Sequence, residues 1–145
     1  IGKGVLTYNI SRNADLTLRL YDYDRIDPST HKKRPIQPEE VYENVNIPDK
    51  MITFQQYPYA NEFGCKVTRY CDEPGLYTLM RIQTDTEGKF LHERFALYTC
   101  VKGEGMINDM HIRQGETILV PNHMGWIKIK GKLDLFLASY RNQHI

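Results

Sequence analysis

Apolar and polar residues alternate with a period of two through most of the chain. In "DLTLRLYDYDR", Asp15 to Arg25, Leu16, Leu18 and Leu20 share one face, and Asp15, Thr17, Arg19 and Tyr21 share the other. "GVLTYNIS" and "LTLRLYDYD" flank the turn residues "RNAD" and predict an N-terminal hairpin. "RIDPSTHKKRPIQP" has three prolines and reads as a loop. "EEVYENV" predicts one short helical turn with Pro38 at its first position. "NIPDKMITFQQYPYANEFG" has little periodicity and reads as a segment crossing the surface of a neighbour. From Cys65 the alternation returns in "CKVTRYCDE", "LYTLMRIQT", "FALYTCVKG", "GMINDMHI", "ETILVP", "GWIKIKG" and "LDLFLASYR". The turn signals "EPG", "TEGK", "KGEG", "RQGE", "PNHMG" and "GK" separate them. Short strands with regular turn punctuation predict an all-β sandwich or barrel.

Two pieces follow: residues 1–45, a hairpin with a linker, and residues 46–145, a compact β-domain. An isolated two-stranded hairpin is marginal in water, so its partner strands must come from elsewhere. The chain opens on Ile1, already strand-like, which predicts a piece of a longer protein. The exposed strand edges of such a hairpin predict pairing with another chain, in the simplest case a homodimer.

Charge narrows the partners. Lys+Arg is 19 and Asp+Glu is 18, a net charge of +1, so no global field favours nucleic acid or a membrane surface. The basic run His31–Arg34, near the acidic pair Glu39 and Glu40, reads as a solvated loop. No window reaches the roughly 18–20 apolar residues of a membrane span, and no charged start followed by an apolar run predicts a signal peptide. Cys65, Cys71 and Cys100 are odd in number and form no CxxC, which predicts reduced thiols in a cytoplasmic protein rather than a disulfide framework or a zinc knuckle.

Arg19 stands in the middle of a strand's polar face. A solvated arginine paired with Asp15 or Asp22 explains it, and so does the lining of a site that holds an anion.

The run "KGEGMINDMHIRQGETILVPNHMGWIKIKG" resembles the second conserved stretch of the cupin superfamily, with Gly115, Pro121 and Gly125 at the matching positions. "HERFALYTCVKGEG" lies where cupins carry their HxH and Glu metal motif. His92 is followed by Glu93 and Arg94, no histidine follows Trp126 in the motif, and His123 falls before Gly125. None of the five histidines forms a local pair, although His92 and Glu93 could meet His123 in space. The β-domain therefore looks like a cupin-like barrel or jelly roll that has lost its metal.

The N-terminal stretch "IGKGVLTYNISRNADLTLRLYDYDR" resembles the type I mannose-6-phosphate isomerases of Gram-positive bacteria. The matching residues are Ile1 to Gly4, Asp15, Arg19, Leu20, Tyr21, Asp22, Asp24 and Arg25. The resemblance implies the last hairpin of a catalytic cupin, a linker and a degenerate C-terminal cupin. It implies a zinc-dependent isomerase interconverting mannose 6-phosphate and fructose 6-phosphate through an enediol. Arg19 takes the position of an active-site arginine that contacts the sugar phosphate or steadies the enediol. Tyr21, Asp22, Asp24 and Arg25 take scaffold positions. The family's zinc ligands, a Gln, two His and a Glu, precede the IGKG stretch, so no metal is expected in this chain, which alone should be inactive. Asn9 and Ser11 stand where the family usually has Glu and Gln. With the missing metal motif, they keep a second reading in play, a non-catalytic cupin module that binds a sugar or a protein partner.

Overall fold

The computed structural model describes residues 4–5, 7–11, 17–45, 57–72, 75 and 77–140. The chain divides into two compact units, Ile1–Phe54 and Gln55–Ile145.

In the first unit the helical turn is present as α1, Pro38–Asn44. Proline at its start gives up an N–H that would have no helical acceptor, and Glu39 and Glu40 complement the N-terminal dipole. The expected hairpin strands differ. The described residues of both, 7–11 and 17–25, carry no strand, and the turn between them lies outside the described residues. The second segment ends instead in a tight turn. Tyr23 and Asp24 both have left-handed φ, 54° and 53°, and the Arg25 N–H donates to the Asp22 carbonyl at 3.1 Å. That is the pattern of a type I′ turn. It folds the chain back, and Ile26 then bridges Lys33. Two strands without the rest of a sheet have too little to hold them extended.

The second unit is an all-β, cupin-like domain. Its strands are β1 (Tyr59–Glu62), β2 (Cys65–Asp72), β3 (Tyr77–Thr84), β4 (Glu87–Leu91), β5 (Ala96–Ile107), β6 (Met110–Arg113), β7 (Thr117–Val120) and β8 (Trp126–Tyr140). The sheet runs β1-β2-β3-β8-β5-β6, with β4 on β8 and β7 on β5. Every pair is antiparallel. Alternate residues point inward, so Val67, Ile82, Tyr98, Ile112, Ile127, Ile129, Leu135 and Leu137 are fully buried in one core. Burying each aliphatic side chain contributes about 1.5–3 kcal/mol. On the outer face, the Arg81 guanidinium grips both oxygens of Asp134 and ties β3 to β8.

Three turn signals of the sequence lie within strands. "KGEG", Lys102–Gly105, is inside β5; Gly131 of "GK" is inside β8; most of "TEGK" is β4. The first two arise because β5 and β8 run unusually close. A Cβ on Gly103 would lie 2.0 Å from the Lys132 carbonyl oxygen, and one on Gly105 would lie 2.0 Å from that of Lys130. Glycine marks a close backbone approach here, not a reversal. Conversely, the predicted strand "GMINDMHI" is broken by a turn at Asn108–Asp109, where Asn108 takes φ 50°.

Candidate functional site

Arg19 is fastened by its backbone. Its N–H donates to Gln37 Oε1 at 3.0 Å, and the Gln37 N–H donates to the Arg19 carbonyl at 2.7 Å. One residue thus closes both backbone groups of Arg19 from the position just before α1. Sequence reasoning did not find Gln37. It lies eighteen positions away, and no periodicity connects the two.

Asp22 does not neutralise Arg19. Its buried carboxylate accepts from Arg34 Nε at 2.8 Å and Arg34 Nη2 at 3.0 Å, and also from Arg25. The Arg25 guanidinium, followed by Arg34, holds this carboxyl below the usual carboxylate range. Lys33 pairs with Asp24 at 2.7 Å. The basic run His31–Arg34 is therefore drawn to Asp22 and Asp24 rather than to Glu39 and Glu40, and Asp22, Asp24 and Arg25 are scaffold. Among the described residues no carboxylate pairs with Arg19. Asp15 lies outside them. Arg19 is half-buried, and a guanidinium with no counter-ion among the described residues is suited to receive an anion.

In the second unit, His92 is buried and stacks on Phe90 with centroids 6.4 Å apart. Its Nδ1 lies 3.1 Å from the Arg94 carbonyl oxygen, to which it donates. His123 approaches Glu93 only through the backbone, its N–H donating to the Glu93 carbonyl at 2.9 Å. Inside the core stand Tyr98, Cys65 and Cys100. The thiols are free, and burial pushes both up. Burial also pushes the Tyr98 phenol far up, and its hydroxyl has no hydrogen-bond partner. Among the described residues no group of three or more His, Cys, Asp or Glu could hold a metal ion.

His92 carries a pH dependence. Burial holds its imidazole below the ordinary value of 6.5, outweighing the bond to Arg94. The unfolded chain therefore binds a proton that the folded chain refuses. Stability falls as pH drops through 6.5 and levels off below the folded value. Urea unfolding at pH near 7.5 and near 5.5 should give the lower midpoint in acid, and His92→Gln should shrink the difference. An unchanged difference in the variant would assign the effect elsewhere.

No known family pattern matches the chain. Mannose-6-phosphate isomerase ManA of Bacillus subtilis (strain 168) is 28% identical over 148 aligned positions, 95% of this chain and 44% of that protein. The chain is homologous to mannose-6-phosphate isomerases. Probable mannose-6-phosphate isomerase GmuF of the same organism is 26% identical over 143 positions, 94% of the chain and again 44% of the relative. The crystal structure of the mannose 6-phosphate isomerase from Bacillus subtilis superposes with a TM-score of 0.71 at 19% identity, covering 87% of this chain and 41% of that one. A Streptomyces PAC13 variant solved with uridine shares the fold at a TM-score of 0.51 and 20% identity, over 65% of this chain and 84% of that one. The chain thus spans less than half the length of the isomerases it matches, corresponding to a C-terminal portion.

Proposed function

We propose that this chain is the C-terminal part of a zinc-dependent mannose-6-phosphate isomerase that interconverts mannose 6-phosphate and fructose 6-phosphate. The observation that carries the reading is homology to isomerases along 95% of the chain. Arg19, whose backbone groups are both held by Gln37 and whose guanidinium has no carboxylate partner among the described residues, supports it from the chemistry.

Aldose–ketose isomerisation moves a proton between C1 and C2, and negative charge develops on oxygen as the enediol forms. A guanidinium with a fixed backbone meets that charge, or the phosphate, with little reorganisation. Arg19 has this role. The described residues do not fit zinc, so in this reading the metal and the proton-moving base belong to residues outside this chain. The chain alone is then inactive. Free thiols agree with a cytoplasmic setting, and among the described residues no helix is long and apolar enough to cross a membrane.

The test is a coupled assay of mannose 6-phosphate turnover by the longer protein, before and after chelation and zinc return. Turnover lost and regained with zinc is expected. A folded, zinc-loaded longer protein without turnover would refute the reading and favour a binding module.

A further inference from the structure

The outer face of the β4–β8 ribbon holds a charge arrangement that the fold does not need. Phe90, Ile127 and Ile129 point into the core, so Lys89 and Lys128 point out, directly opposite each other. Like charges in that position oppose pairing. Glu87 answers only Lys130, at 3.9 Å. Among the described residues no carboxylate answers Lys89 or Lys128.

Two exposed aromatics border these lysines. Phe63 and Trp126 are 63% and 42% exposed and meet edge-to-face with centroids 4.8 Å apart. The Lys89 ammonium lies 4.7 Å from the Trp126 ring centroid and 5.6 Å from that of Phe63. Phe63 also breaks a local rule. It and Gly64 form the two-residue turn between Glu62 and Cys65, with φ 46° and 83°. Asn, Asp or Gly suits the first position of such a turn, and a bulky aromatic there is strained. No burial repays that strain. The turn is nonetheless fixed, since the Lys89 N–H donates to the Phe63 carbonyl at 3.0 Å. A cavity of about 340 Å³ opens between Phe63, Glu87, Gly88, Lys89, Lys128 and Lys130, the size of a small-ligand site.

We propose that this face binds an anionic saccharide. The phosphate or carboxylate lies between Lys89 and Lys128. The apolar C–H face of the sugar ring rests on Trp126 and Phe63, and Glu87 accepts from a hydroxyl. Because the two rings meet edge-to-face, they offer one platform rather than the sandwich that would enclose a flat base. An exposed aromatic at a strained turn position is where a functional role is expected. The inference stands independently of the isomerase reading.

Trp126 is the only tryptophan, so its fluorescence reports on this face alone. The chain is titrated with mannose 6-phosphate, glucuronate, mannose and inorganic phosphate. A saturable response to mannose 6-phosphate or glucuronate, at least tenfold tighter than to mannose or phosphate, supports the proposal, and the stronger of the two names the anion. Lys128→Gln and Phe63→Asn should each weaken it about tenfold. Phe63→Asn relieves the turn and should melt no lower than the parent, so lost binding cannot be blamed on folding. Equal response to phosphate alone, or to mannose alone, overturns the proposal. So does no response to any probe, or binding untouched in Phe63→Asn.

Discussion

Replacing Arg19 with alanine in the proposed isomerase lowers kcat/KM for mannose 6-phosphate by about 10²–10³-fold, the cost of removing one charge-stabilising donor from an active site. Among the described residues its guanidinium has no counter-ion, because the one nearby buried carboxylate, Asp22, is occupied by Arg25 and Arg34. Among the described residues substitution breaks no ion pair, and the fold should survive it. Lysine keeps the charge but loses the planar fork and should recover only part of the activity. The split identifies the partner. If Arg19 holds the phosphate in ground and transition states alike, KM rises and kcat stays. If it steadies the enediol, kcat falls. Steady-state kinetics of Arg19→Ala and Arg19→Lys check this, and unchanged kcat/KM in both would remove Arg19 from the site.

A large loss of stability is expected at Gly105. Alanine there should cost about 3 kcal/mol, near the upper end for a single substitution. Its Cβ would meet the Lys130 carbonyl oxygen at 2.0 Å, and Gly131 faces it across the ladder. The obstacle is backbone, so relief requires parting β5 from β8, the two longest strands. Gly115 provides the contrast. Its φ is +90° with nothing near a Cβ, so alanine there carries conformational strain alone, about 1 kcal/mol. Gly103 combines a φ of +88° with a 2.0 Å approach to the Lys132 carbonyl oxygen, so alanine there should be at least as costly as at Gly105. Urea unfolding followed by Trp126 fluorescence ranks the three. Equal losses at Gly105 and Gly115 would mean that the strands can separate cheaply.

These glycines also explain where the sequence misled. β3 and β7 alternate cleanly, with inward Ile82 and Ile118, and are legible from pattern alone. In the sequence β5 and β8 look like shorter strands because Gly103, Gly105 and Gly131 resemble turn residues. Their role is close approach, which depends on a partner strand more than twenty residues away. Thr86–Lys89 reads as a turn for the same reason, and β4 exists because the first half of β8 offers an edge to pair with. In the first unit Pro38 announced α1 correctly. The segment around Arg19 was read as strand from its alternation, yet the turn at Asp22–Arg25 and the clasp from Gln37 decide its conformation. At the candidate site Arg19 was recognisable through family resemblance. Gln37 was not, because a contact between two loop segments leaves no periodic mark. Phe63, Lys89 and Trp126 are far apart in sequence and meet only where the β1–β2 turn reaches the β4–β8 ribbon.

The most direct measurement is mannose 6-phosphate turnover by this chain alone beside the longer isomerase, both folded and supplied with equal zinc. In the proposed enzyme the chain would contribute Arg19 and scaffold, with no metal site among its described residues, so the longer protein should turn over and the chain should not. Zinc-dependent conversion to fructose 6-phosphate by the chain alone would contradict that division.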